Sequence, residues 1–136
     1  MSRRTALILS ALLVVLLAFL ATTGDAQQPL RIGASLSQTG SFASLGQNQF
    51  RGYQLCVKHA NEKGGVLGRR IELLVEDDQS KAPTAVAIYE KLITQDKVDL
   101  VLGPYGSPIT EAVAEVTEKH KMPLMAHAAE VTSLAE

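Results

Sequence analysis

Two hydrophobic periods alternate along the chain, and that alternation limits the fold more tightly than any other feature. Leu30 to Leu36, LRIGASL, reads as a buried strand of small and apolar residues. From Gln47 to Lys63 the period changes: Phe50, Tyr53, Val57 and Ala60 fall on one helical face, with Arg51, Lys58 and Glu62 elsewhere. Gly64-Gly65 ends this helix, because glycine accepts the left-handed conformation of a helix C-terminus. Gly68 closes the next turn, and Arg70 to Glu76, RIELLVE, is a second strand. A second helix is expected from about Pro83 to Gln95, carried by Ala85, Tyr89, Leu92 and Ile93, with Pro83 in a first turn where its missing N–H costs nothing. Val98 to Leu102 is a third strand. Ile109, Ala112, Val113 and Val116 give the i, i+3, i+4, i+7 stripe of a third helix, and Pro123 to Ala126 begins a fourth strand.

Strand and helix in strict turn, joined by short links, imply an α/β fold: a parallel sheet of βα units with right-handed crossovers. Open sheets of this kind bind ligands outside the carboxyl ends of their strands. One such end interrupts LVLGPYGSPITEAVAEV with two glycines, two prolines, a tyrosine and a serine. Gly103 and Gly106 allow a sharp bend and close approach to a ligand. Pro104 stiffens the bend, Ser107 is placed as N-cap of the third helix and Pro108 as its first residue. The amides of the turn and the helix dipole would then face one spot, where an anion gains up to about 2 kcal/mol. A hydrogen bond from the serine hydroxyl to a charged group adds roughly 1.5–3 kcal/mol, and Tyr105 supplies a flat wall. A small carboxylate cradle and a plain helix cap are both open readings of these residues.

The first 26 residues stand apart. Arg3 and Arg4 precede an almost wholly aliphatic run from Ala6 to Ala21, and Thr22 to Ala26 ends in small residues. The pattern is that of a secretory signal peptide cleaved after Ala26; the apolar run is short for a membrane span of roughly 20 residues. No cysteine lies near the cleavage point. Residues 27–136 suit one small domain, which buries roughly two thirds of its unfolded surface. The whole chain carries a net charge of −1, and without Arg3 and Arg4 it is more acidic, which argues against a nucleic-acid partner. The single cysteine, Cys56, excludes an internal disulfide; inside an apolar helical pattern it reads as a buried, inert thiol.

Signals of catalysis are weak. Gly103-x-x-Gly106 is no dinucleotide fingerprint, and no phosphate-loop pattern exists. His59, His120 and His127 are scattered without metal-ligand spacing, His59 and His120 reading as solvated helix positions. Glu76-Asp77-Asp78 raises a metal or phosphoacceptor site, against the plainer reading of a solvated strand end that caps the next helix. No nucleophile–base pair is visible and no cofactor is implied.

Three blocks in order, RIGASLSQTGSFASLGQNQFRGYQL, NEKGGVLGRRIELLVEDDQS and VDLVLGPYGSPIT, resemble the periplasmic branched-chain amino-acid binding proteins of ABC transporters. The resemblance covers Leu30 to Glu136. It implies a type 1 periplasmic binding fold, in which two α/β lobes joined by a hinge close over a small amino acid and deliver it to an ABC permease in the inner membrane. Ser107 falls where the family's serine holds the ligand carboxylate, beside the amides of Tyr105 and Gly106. Leu45 falls in the loop that lines the side-chain pocket. Ala128-Ala129 matches an Ala-Ala-Thr or Ala-Ala-Ser segment that meets the ligand ammonium, but Glu130 replaces the hydroxyl residue, and Thr132 follows two places on. A carboxylate there attracts an ammonium and repels a nearby ligand carboxylate.

Members of the family are longer, so residues 27–136 correspond to a partial N-terminal lobe, with the second lobe absent, and the chain reads as a fragment. Tight binding of an amino acid by this polypeptide alone is not expected. The expected role is the solute receptor of an amino-acid importer, with no enzymatic activity. Alternatives are a ligand-sensing module of the same fold, such as an amide or amino-acid sensor, and an enzyme on a flavodoxin-like or receiver-like sheet. Export argues against the enzyme.

Overall fold

The computed structural model describes residues 27–127. Four strands and three helices alternate: β1 Leu30–Leu36, α1 Ala43–Glu62, β2 Ile71–Asp77, α2 Ala82–Thr94, β3 Leu100–Leu102, α3 Ser107–Lys119 and β4 Leu124–Met125. The strands form one parallel sheet in the order β2-β1-β3-β4, the α/β architecture expected from the alternating periods. Strand order reverses between β1 and β3. With right-handed crossovers, α1 lies on one face and α2 with α3 on the other; α2 packs on α3 and β1, while α1 packs on β1 and β2.

The core sits on the two-helix side. Ala85, Ile88, Tyr89 and Leu92 of α2 meet Val98 just before β3, Val101 of β3, and Ile109, Val113 and Val116 of α3, all buried. These include most of the stripe residues that the helical period picks out; Ile93 and Ala112 are only half-buried. Tyr89 needs a polar partner at its buried end and finds two: its hydroxyl donates to the Leu102 carbonyl and accepts from the Ser35 amide. Burial pushes the Tyr89 phenol far above the ordinary tyrosine range, against the hydrogen bond from Ser35.

Among the described residues, helix α1 is alone on its face. Its sheet-facing residues Phe50, Tyr53, Val57 and Ala60 are half-buried, and Gly46 is its only fully buried member. Cys56 lies off that stripe and is exposed, so the expectation of a buried thiol is wrong: the apolar residues Leu55 and Cys56 face outward because no second helix covers them. The helix closes as the glycine pair predicts. Gly65 N–H donates to the Ala60 carbonyl at 2.8 Å and Gly64 N–H to that of Asn61 at 3.2 Å, both glycines having positive φ.

The acidic run after β2 also departs from both readings. Asp78 is fully buried. Its carboxylate accepts from Ser35 Oγ at 2.9 Å, Ser37 Oγ at 2.6 Å and the Ser80 amide at 2.9 Å. Asp77 accepts from the amides of Gln38, Thr39 and Gln79 and from Thr39 Oγ1. The pair ties the carboxyl end of β2 to that of β1 instead of capping α2, whose N-cap residue Lys81 makes no side-chain capping bond. Among the described residues no group of three or more His, Cys, Asp and Glu is placed to hold a metal ion.

Candidate functional site

Because β1 and β3 are neighbours whose following helices leave on opposite faces, their carboxyl ends open a crevice. The loop from Ser37 to Phe42 forms one side and the turn from Gly103 to Gly106 the other. Gly106 has φ 93° and occupies the N-cap of α3, with no side-chain cap hydrogen bond there. Ser107 is therefore the first helical residue and not the N-cap, and the helix begins one residue earlier than expected. The left-handed conformation at Gly106 completes the bend, so Pro108 still falls in the first turn. The bend also lies in contact with the loop of residues 37–42, here loop one: a Cβ at Gly106 would stand 3.6 Å from the Phe42 ring.

Gly103 also has a packing role within the sheet. Its φ is not positive, and an added Cβ would stand 3.1 Å from Ala126 Cα. Its missing side chain lets β3 and the end of β4 come together.

Tyr105 is half-buried and lies against Phe42, ring centroids 5.6 Å apart and planes tilted by 60°. Beside it runs a groove of about 370 Å³ lined by Leu45, Gln49, Gly52, Tyr53, Tyr105 and His127. The structure thus brings together two of the expected site residues, Leu45 and Tyr105, with Gly106 and Ser107 at the adjoining corner. Leu45 is 46% exposed, an apolar side chain held on the first turn of α1 at the rim. Ala128, Ala129 and Glu130 lie outside the described residues.

Four lining or supporting residues escape sequence reasoning. Phe42 sits in a loop with no period to mark it. Tyr53 belongs to the helical stripe that reads as core, and Gln49 stands one turn before it on the same flank. Gln49 Nε2 donates to Tyr53 Oη at 2.9 Å and to the Gly103 carbonyl at 3.3 Å. His127 approaches Tyr53 Oη through its ring nitrogens at 3.1–3.2 Å. Partial burial raises the Tyr53 phenol above its ordinary pKa, the Gln49 hydrogen bond acting the other way, so Tyr53 remains a neutral donor and acceptor at physiological pH. The groove therefore has an apolar end at Leu45 and Tyr105 and a polar end at Gln49, Tyr53 and His127. Of the other two histidines, His59 is exposed as expected, while His120 is half-buried and pairs with Glu90 at 2.7 Å.

A family model described as "Periplasmic binding protein" matches residues 29–135. An amino acid binding protein of Pseudomonas aeruginosa is 34% identical over 88 residues, 65% of this chain and 24% of the relative. The Leu/Ile/Val-binding protein BraC3 of Rhizobium johnstonii is 32% identical over 108 residues, 79% of this chain and 29% of the relative. Among solved structures, the branched-chain amino acid transporter substrate binding protein LivJ from Streptococcus pneumoniae, in complex with isoleucine, superposes with a TM-score of 0.75 at 33% identity. It is matched over 78% of this chain and 30% of its own. The leucine binding protein LivK from Thermotoga maritima gives 0.68 at 27% identity, over 75% of this chain and 28% of its own. The chain thus spans less than a third of the length of these relatives.

Proposed function

The chain belongs to the periplasmic binding protein family, and from that premise we propose that it forms the opening part of an extracytoplasmic receptor that binds a small amino acid for an ABC importer. The observation that carries the reading is the corner at the strand-order reversal. There α3 begins at the carboxyl end of β3 with Ser107 in its first turn, beside a groove walled by Leu45 and Tyr105. A ligand carboxylate at that corner meets the positive end of a 13-residue helix, worth up to about 2 kcal/mol. The side chain of the ligand then extends along the groove. The role in this reading is capture and delivery to a membrane permease.

Residues 1–26 act in this reading as a signal peptide, so the exported protein begins at Gln27; N-terminal sequencing of the secreted product checks this. Residues 27–136 supply part of the N-terminal lobe, and Ala128, Ala129 and Glu130 meet the ligand's ammonium end. The central test is isothermal titration of the protein as its own gene encodes it against leucine, isoleucine, valine and a panel of other amino acids. Saturable binding with a dissociation constant in the micromolar range or below is expected for at least one of them. Absence of binding to every amino acid, with binding of a solute that lacks a carboxylate, overturns the reading.

A further inference from the structure

The loop that faces Tyr105 is held chiefly from outside. Between Ser37 and Phe42, the Gln38 and Thr39 amides and the Thr39 hydroxyl all donate to Asp77, and Ser37 Oγ donates to Asp78. Ser80 completes the attachment. Its hydroxyl accepts from the Phe42 amide at 3.0 Å and donates to the Thr39 carbonyl at 2.9 Å, while its own amide is fixed on Asp78. The two turns touch so closely that a Cβ at Gly40 would lie 2.5 Å from the Gln79 carbonyl oxygen. Gln79 and Ser80 adopt left-handed φ values of 56° and 62°, a conformation uncommon outside glycine, and it is this bend that carries the Ser80 hydroxyl beneath loop one.

Phe42 then passes the constraint on. Its ring rests against Tyr105 and beneath Gly106, the two residues that shape the corner and the groove. We propose that Ser80, at the turn between β2 and α2 and outside the groove itself, is a positioning residue for the ligand site: it fixes Phe42, and through Phe42 it fixes Tyr105 and the bend before Ser107. This rests on the site proposed above. Ser80 touches no ligand; removing its hydroxyl frees the Phe42 amide and the Thr39 carbonyl, and loop one loses the contacts that aim its aromatic ring.

The test is a double-mutant cycle on the protein as its own gene encodes it, with Ser80→Ala, Phe42→Leu and the combination. Titration with the tightest-binding amino acid is expected to give a dissociation constant about tenfold higher for Ser80→Ala, equivalent to roughly 1.4 kcal/mol. Ser80→Gly, which suits the left-handed φ of this position but removes the hydroxyl, raises it to the same extent as Ser80→Ala. In the Phe42→Leu background, Ser80→Ala adds less than about twofold, because the residue through which it acts is already gone. Equal effects of Ser80→Ala in the two backgrounds overturn the proposal, as does a loss of affinity that tracks only a fall in melting temperature. Amide hydrogen exchange without ligand decides the matter if no amino acid binds. Faster exchange confined to Phe42 and to residues 103–107 in Ser80→Ala sustains the positioning role while the receptor reading fails. Unchanged exchange there sinks the positioning role by itself.

Discussion

Ser37 Oγ donates to Asp78 Oδ1 across 2.6 Å, joining residues 41 positions apart at the carboxyl ends of two neighbouring strands. Both residues are fully buried. The same carboxylate receives Ser35 Oγ and the Ser80 amide, so two buried hydroxyls and one part-buried amide depend on one side chain. Asp78→Ala leaves all of them unpaired. With hydrogen bonds to a charged group worth about 1.5–3 kcal/mol each and partial relaxation of the loops, the expected loss is on the order of 4 kcal/mol. Urea unfolding followed by circular dichroism checks it: the midpoint falls with little change in the slope. A loss below about 1 kcal/mol contradicts the role given to Asp78.

Two glycines of α1 predict opposite outcomes for one substitution. A Cβ on Gly46 would lie 2.1 Å from the Ser37 carbonyl oxygen, a backbone atom with no freedom to withdraw. Gly46→Ala must push the start of α1 off β1, costing about 3 kcal/mol or more. At Gly52 an added Cβ meets nothing within 4 Å, and the site is an exposed helix interior. There Gly52→Ala removes the entropic penalty of glycine and stabilises by about 0.5–1 kcal/mol. Thermal melts of the two variants, compared in one buffer, give the signs directly.

The strands and helices were legible because burial imposes its period on the residue types. The stripes Ala85-Tyr89-Leu92 and Ile109-Val113-Val116 are the core. The third strand is shorter than its apolar run: Val98 is buried in the core before β3 begins, and its amide donates to the Leu92 carbonyl. Apolarity there comes from packing, not from sheet pairing. At the site, the bend around Gly106 and the residues Leu45 and Tyr105 could be read from turn chemistry and resemblance. Gln49, Tyr53 and His127 could not, since a helical stripe does not say whether a residue faces the sheet or a groove beside it. Asp78 was misread for a related reason. Its partners Ser35 and Ser37 lie a whole βα unit upstream, and only the pairing of β1 with β2 brings them together.

Tyr89 is the one aromatic ring at the centre of the core, and its hydroxyl bridges α2 to β3 and β1. Tyr89→Phe keeps the ring and strands the Leu102 carbonyl without its donor. The expected loss is about 1–3 kcal/mol, the cost of an unsatisfied buried acceptor. Leu92→Ala, which empties volume in the same cluster, costs more, about 2–5 kcal/mol. Denaturant titration ranks the two. A Tyr89→Phe protein as stable as the parent shows that water replaces the hydroxyl.

Stability at acid pH follows from carboxylates whose charged forms the fold favours. For Asp77 burial acts to raise the pKa, but hydrogen bonds from the Thr39 hydroxyl and from the Gln79, Thr39 and Gln38 amides outweigh it, and the net shift is downward. Glu90 is also lowered, first by its hydrogen bond from Lys119 and then by that from His120. A carboxyl group with a depressed folded-state pKa contributes stability that is fully present above its unfolded pKa and is lost as pH falls through the folded one. The fold is therefore expected to hold its stability from neutrality down to about pH 5 and to lose it progressively below about pH 4. Both side chains are half-buried at the surface, so the Glu90 contribution still shrinks at high salt, where an ion pair reached by solvent is screened. Asp77→Asn keeps one acceptor oxygen but removes the titration, and the acid limb of a stability-against-pH curve becomes shallower. An acid limb identical in the parent and Asp77→Asn would show that the loop between Ser37 and Phe42 does not need the Asp77 charge.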